Sequence, residues 1–318
     1  MAYVAAPQVN LRDRIAAVYN RTGTAQNGER VEVLERSKRF VKVKTARGEI
    51  GWVEERYLAG PEVYDGLQAL AAENKSTPVQ ATGTARSSLN IHLTPGRDTA
   101  HLVQLKEGDK VDILKRGTAE RPQANLLPTT VAAQRQKSSG SAKGQEAPSP
   151  ALEDWSLVRD AQGHAGWVLS RMIDVDVPLD VAQYAEGQRI VGLFVLNEVQ
   201  DGDKKVPEYL MVLTEPKDGL PYDYNQVRVF TWSLKRHRYE TAYIDRKLTG
   251  IFPVTVSKQE FGKEGVAPVF TLREKDDQGI VSERSYRMVQ HIVRRVVAPG
   301  EEKPKPVRSS PRRRRGRR

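Results

Sequence analysis

Apolar and polar residues alternate with a period of two along most of the chain. Val31 and Val33, then Val41 and Val43, are each separated by Glu or Lys, the pattern of a strand with one face buried and one wet. From about residue 180 the alternating segments lengthen: Arg189–Val199, Glu208–Leu213, Gln226–Leu234, Arg238–Ile244 and Val266–Arg273, with a last, interrupted one over Glu283–Val297. Turn residues separate them at Asp201-Gly202, Asp218-Gly219, Gly262 and Asp277-Gln278-Gly279. Consecutive strands joined by short turns predict an antiparallel meander over 180–297, either a sheet or an open barrel. The exception is residues 62–76, where Val63, Leu67, Leu70 and Ala71 are spaced for one face of a short helix; this helix is expected to act as a linker over 60–80.

A repeat organises the first half. Asn10-Leu11 recurs as Asn90-Ile91, and Gly28-Glu29-Arg30-Val31-Glu32-Val33-Leu34-Glu35-Arg36 recurs as Gly108-Asp109-Lys110-Val111-Asp112-Ile113-Leu114-Lys115-Arg116, all offset by 80. Beyond Arg116 the offset becomes 115. Phe40-Val41-Lys42-Val43, Gly48, Gly51-Trp52-Val53 and Arg56-Tyr57-Leu58 echo as Trp155-Ser156-Leu157-Val158, Gly163, Gly166-Trp167-Val168 and Arg171-Met172-Ile173. The jump is an insertion over 117–153, rich in Gly, Ser, Ala, Gln and Pro. Such a composition cannot bury enough surface to offset its ordering entropy, so a disordered loop is expected there.

The pattern Asn-Leu-Arg, a Gly-Glu-x-Val-x-Val-Leu strand, a (Phe/Trp)-x-x-Val strand, Gly-Trp-Val and a closing Arg-x-(Leu/Ile) resembles the bacterial SH3 domain family. The likeness covers residues 8–59 and, with the insertion, a second module in 81–175, where Ile91-His92 departs from the usual Leu-Arg. It implies a mainly β fold: two small SH3-like barrels, then the meander, with a disordered basic tail over 298–318. The arrangement is similar to that of envelope proteins of soil bacteria, which implies a periplasmic or envelope location and attachment to a cell-wall polymer or an envelope protein. Arg12, Arg14 and Tyr19 then fall where the first loop forms a groove wall. Trp52 and Trp167 are ambiguous between groove lining and core, and core packing is the preferred reading.

Composition narrows the chemistry. With no cysteine, disulfides, thiolate metal sites and thiol nucleophiles are excluded, and with them the cysteine peptidases that often carry SH3-type modules. No Gly-x-Ser-x-Gly elbow, Ser-x-x-Lys, His-Glu-x-x-His or phosphate-binding Gly-Lys-(Ser/Thr) sequence occurs. The five histidines are scattered. No enzyme activity, metal or cofactor is expected. The opening Met1–Pro7 has neither a basic start nor an apolar core, so no signal peptide is expected, and no apolar run approaches the ~20 residues of a membrane helix.

The net charge of +11 is concentrated at one end: residues 301–318 carry nine Lys/Arg against two Glu. Arg312, Arg313, Arg314, Arg315, Arg317 and Arg318 imply weak, salt-sensitive polyanion binding, which keeps a cytoplasmic nucleic-acid binder as the alternative function. A cluster of Trp232, Lys235, Arg236, His237, Arg238, Tyr239 and Tyr243 is a candidate cationic, aromatic-walled patch. The competing reading is a charged hairpin tip whose rings fill the inner face of the sheet.

Overall fold

The computed structural model describes residues 1–122, 151–262 and 265–296. The basic tail therefore lies outside the described residues, as does most of the insertion.

The first sheet is built from β1 (Ala2–Val4), β2 (Gln8–Arg12), β3 (Arg21–Gln26), β4 (Arg30–Ser37), β5 (Phe40–Lys44), β6 (Ile50–Glu54) and β7 (Leu58–Ala59). Their order in the sheet is β3-β2-β6-β5-β4-β1-β7. The second sheet contains β8 (Ala81–Ala85), β9 (Leu89–His92), β10 (His101–Leu105), β11 (Lys110–Glu120), β12 (Leu152–Asp160), β13 (Ala165–Leu169) and β14 (Ile173–Val175). Its order, β10-β9-β13-β12-β11-β8-β14, reproduces the first strand for strand. The repeat therefore extends to topology. It includes the opening strands, β1, which at three residues is too short to show a period, and β8, whose Ala, Thr and Gly content hides it from a hydrophobic pattern. Both orders have two free ends, so the expected barrels do not close; each is an antiparallel sheet bent over its own core.

Alternation works as predicted inside each module. Val9, Leu11, Val31, Val41, Val43 and Val53 meet in one core, and Ile91, Val111, Ile113, Val158 and Val168 meet in the other. Helix α1 (Pro61–Glu73) starts with Pro at its first turn, where the missing N–H is not needed. It does not hang free as a spacer. Leu67 is buried in the second module's core together with Ala5 and Ala59 of the first, and Tyr64 stacks on Tyr3 with ring centroids 4.4 Å apart. Asn27 adds a direct tie, donating to Leu102 O at 2.6 Å and accepting from Gln104 N at 3.2 Å.

The insertion is shorter than its composition suggests. β11 continues to Glu120 and β12 starts at Leu152, paired from Gly117↔Trp155 through Glu120↔Leu152. The expected disorder over 117–153 thus gives way to a hairpin stem at both ends. The stem is held by Glu153, whose side chain is fully buried and takes Arg97 Nε and Nη2 at 2.7 Å each, Arg121 Nε at 3.0 Å and Arg171 Nη1 at 3.4 Å. The hydrogen bonds from Arg97, reinforced by Arg121, hold the Glu153 carboxyl at about 2, below its ordinary 4.5, against the effect of burial. A depressed pKa stabilises the fold fully above the ordinary value, and that contribution is lost as pH falls toward 2. Thermal melts of Glu153→Gln and the parent should accordingly differ at pH 7 and converge near pH 2. Parallel curves over that range would show that Glu153 is not the group titrating.

The third sheet is a seven-stranded meander in sequence order: β15 (Arg189–Asp201), β16 (Lys204–Thr214), β17 (Tyr224–Ser233), β18 (Arg238–Glu260), β19 (Val266–Lys275), β20 (Val281–Val289) and β21 (Ile292–Arg295). One face buries Leu210, Val212, Val227, Val229, Phe270 and Leu272. The other buries Tyr209, Met211, Leu213 and Phe230 under Val181 of the short helix α2 (Leu179–Ala182). Burial on both faces explains why residues 209–213 read as a continuous apolar run. The second half of β18 escapes sequence detection because Gly250 and Pro253 break its pattern. Gly250 is needed there, since a Cβ would lie 2.0 Å from the Tyr224 ring.

This sheet docks on the second module. Asp154, 4% exposed, takes Arg116 Nη2 at 2.6 Å, Arg189 Nη1 at 3.0 Å and the backbone N–H of Gly219 at 2.9 Å. Fully buried Gln80 accepts from Val254 N at 2.8 Å and, through its carbonyl, from Leu193 N at 3.0 Å.

Candidate binding grooves

The Gly-Trp-Val sequence decides the geometry of both modules. In β6 the burial alternates so that Gly51 and Val53 face the core and Trp52 faces out. A Cβ on Gly51 would stand 2.7 Å from Leu11 Cβ and 3.0 Å from Arg12 N; glycine lets β2 cross closely over β6. Gly166 is equally required, with Ile91 Cγ2 at 2.3 Å and His92 O at 2.8 Å. Valine fills the core in both copies. The preferred reading of Trp52 and Trp167 as core plugs is therefore corrected: both are half-buried on the outer face. The buried tryptophan is Trp155, 2% exposed.

On that outer face Arg12 pairs across the strands with Trp52, and His92 pairs with Trp167 at the same place in the second module. The two sites have equivalent positions and different chemistry.

In the first module the Arg12 guanidinium lies 4.3 Å from the Tyr19 ring centroid and 5.4 Å from that of Phe40, a cation between two aromatic faces. It donates to Glu54 Oε1 at 3.2 Å, while Arg56 Nε sits 2.9 Å from Glu54 Oε2 and covers the Tyr57 ring at 4.7 Å. Arg12, Tyr19, Glu54 and Tyr57 line a cavity of about 190 Å³ together with Gln8 and Asn10. Loop 13–20 sets Tyr19 in place. Asp13 Oδ1 accepts from Asn20 N at 2.9 Å, and Asp13 N donates to Asn20 O at 3.0 Å. Arg14 closes on the same carboxylate, with its two nitrogens 3.1 and 2.9 Å from Oδ2. Those bonds, Arg14 first, hold the Asp13 carboxyl at about 2. Arg14 thus braces the loop and does not line the groove. Between these closures Ile15, Ala16, Ala17 and Val18 are all exposed, Val18 to 85%.

The second site is filled. His92 is 8% exposed, its Nδ1 is 3.0 Å from Thr99 Oγ1, and its ring meets Trp155 edge-on at 5.3 Å. Burial pushes its pKa down, and the neighbouring His101 adds to the effect. Trp167 lies over Gly117 of the hairpin stem, where a Cβ would come within 2.7 Å of the ring. The departure Ile91-His92 in the repeat is the sequence signal of this change. Glu54, Phe40 and Tyr57 were not singled out from sequence; the apolar run Ile15–Val18 inside a turn was the available clue to the groove's rim.

The cationic-aromatic cluster gathers at the β17–β18 hairpin, with its rings and charges engaged by neighbouring residues. Tyr239 is buried and donates to Pro207 O at 2.9 Å, with Trp232 T-shaped against it at 5.0 Å. Trp232 Nε1 donates to Asp201 Oδ2 at 2.8 Å, and His237 Nδ1 reaches the same oxygen at 2.7 Å. Arg236 and Arg238 both lie against Glu240, at 2.8 and 3.6 Å. Tyr243 donates to Asp245 at 3.1 Å. Lys235 occupies the turn between β17 and β18. Rings inward and charges largely matched by carboxylates make this a hairpin end. Arg312 to Arg318 lie outside the described residues. Among the described residues, no group of three or more His, Asp or Glu converges to hold a metal, and no helix is long and apolar enough to cross a membrane.

A family model, the bacterial SH3 domain, matches residues 7–59, in agreement with the resemblance read from the repeat. Among solved structures the chain is similar to an NlpC/P60 family protein from Bacillus cereus ATCC 10987, at 10% identity over 89% of this chain and 93% of that one, with a TM-score of 0.23. At that score the likeness bears on neither fold nor function. No curated protein matches.

Proposed function

We propose that this is a non-catalytic attachment protein whose first SH3-type module holds a cell-wall polymer, with the second module serving as its structural support. The observation that carries this reading is the open groove of Arg12, Tyr19, Glu54 and Tyr57 beside the exposed apolar run Ile15–Val18. Exposed apolar residues rimmed by polar ones mark interaction surfaces. An aromatic-flanked guanidinium offers both a stacking face and donors to a polymer with apolar sugar faces and carboxylates. The second site, closed by His92, Trp155 and Trp167, offers neither.

Co-sedimentation of the full chain with purified peptidoglycan tests it. Tyr19→Ala and Arg12→Ala should each stay folded by circular dichroism and weaken binding about tenfold, equivalent to ~1.4 kcal/mol. Removal of residues 301–318 should leave wall binding intact and abolish weak DNA binding. If the parent does not sediment with the wall, the proposed ligand class fails. If it sediments and both groove variants bind like the parent, the groove is misplaced.

A further inference from the structure

Where the second module meets the meander there is a cavity of about 230 Å³ that neither half forms alone. Ile113, Ile173 and Val175 supply one wall, and Ile190, Val191 and Phe252 the other. Small-molecule sites favour such junctions, with apolar walls and a few placed polar groups.

The polar groups here are not balanced. Five cations line the cavity, Arg86, Lys115, Arg116, Arg171 and Arg189, against one carboxylate, Asp154. Four of the five are held by acids: Arg86 by Asp174, Arg116 by Asp154 and Asp223, Arg189 by Asp154 and Asp218, and Arg171 by Glu153. Glu153 is already shared with Arg97 and Arg121, so one carboxylate there faces three guanidiniums. The Lys115 side chain has no hydrogen bond or ion pair among the described residues; its backbone belongs to the β11–β12 ladder. The local field therefore favours an anion, and Lys115 is the cation free to meet it.

A second, independent observation comes from Thr214 at the end of β16. It lines the cavity, is 3% exposed, and its Oγ1 has no hydrogen-bond partner among the described residues. A buried hydroxyl without a partner is costly and uncommon enough to require a reason. The nearby Ser156 and Ser170 satisfy each other at 2.7 Å, so the orphan is not a general feature of the site.

We infer that this cavity binds a small organic anion, with one carboxylate or phosphate head on a compact apolar body. The head meets Lys115 and the Arg-rich rim, Thr214 supplies a hydrogen bond, and the body lies against Ile173, Ile190 and Phe252. At 230 Å³ the space is below the usual ~300–1,000 Å³ of drug-sized sites, which restricts the ligand to about ten heavy atoms. Because both halves contribute walls, occupancy should also stabilise the junction by mass action. This inference is independent of the groove in the first module.

Calorimetric titration and thermal melts of the full chain with benzoate, phenyl phosphate, benzyl alcohol and benzylammonium make the test. At least one of the two anions should bind saturably below about 1 mM and raise the Tm, and the stronger one identifies the head group. The alcohol and the amine should bind at least tenfold more weakly. Lys115→Glu should weaken the anion at least tenfold while far-UV circular dichroism stays unchanged. Thr214→Val should weaken it too, yet raise the ligand-free Tm, because the orphan hydroxyl is gone. The proposal is overturned if neither anion saturates by about 10 mM, or if benzyl alcohol binds as well as the anions. It is likewise overturned if Lys115→Glu binds like the parent, or if Thr214→Val lowers the ligand-free Tm.

Discussion

Asp154→Asn should destabilise the full chain by about 3–5 kcal/mol, the usual cost of removing one partner from a buried ion pair. Asp154 is 4% exposed and joins Arg116 of the second module to Arg189 and Gly219 of the meander. The amide has nearly the same shape, so packing is preserved while the charge shared by two guanidiniums is lost. The half-exposed Arg189 still has Asp218 at 2.9 Å, so the cost falls mainly on Arg116. Arg116 keeps only the Asp223 carboxylate at 3.4 Å, and burial raises the pKa of that acid, which weakens the compensation. Urea denaturation followed by tryptophan fluorescence measures the effect. The midpoint should fall, and the transition should broaden or split as the meander uncouples from the modules. A loss under about 1 kcal/mol would show that apolar contacts alone hold the junction.

Trp155→Ala should cost a similar 3–5 kcal/mol, the range for a large aromatic removed from a core. Trp52→Ala and Trp167→Ala should cost about 1–2 kcal/mol each, in proportion to the partial burial of those rings. Trp155→Phe should be far milder than Trp155→Ala. The Trp155 Nε1 has no hydrogen-bond partner among the described residues, so phenylalanine keeps most of the ring packing and loses no bond. Equal losses at all three alanine variants would mean that the half-buried tryptophans carry more of the core than their positions on the outer face suggest.

The contrast among these tryptophans shows where sequence reasoning stopped. Position 155 aligns with Phe40 and position 167 with Trp52, so the repeat identified equivalent sites correctly. It could not say which member of Gly-Trp-Val faces inward, because a large aromatic suits either side of a strand. The close crossing of β2 over β6 settled that, since it needs glycine on the inner face and thereby turns tryptophan out. The groove residues were legible in part. Arg12 and Tyr19 follow from the first loop, whereas Glu54 and Tyr57 reach the same groove from more than 30 positions away. The insertion was legible by composition, but its ends were not: Thr118-Ala119-Glu120 is unremarkable as sequence and becomes a strand only because Leu152-Glu153-Asp154 lies opposite it.

Most of the strands, the helix over α1, the order of elements and the repeat of the modules' central strands could be read along the chain. Those features depend on local periodicity and on a repeat, both of which are written along one chain. Which groove is open, the full strand-for-strand match of the first two sheets, how the bent sheets end without closing, and the docking of the meander through Asp154 and Gln80 emerge only in the folded molecule. Those outcomes depend on contacts between residues far apart in sequence. The same is true of the cavity bordered by Lys115 and Thr214: a carboxylate shared by several guanidiniums, or a hydroxyl left without a partner, exists only once distant strands are brought together.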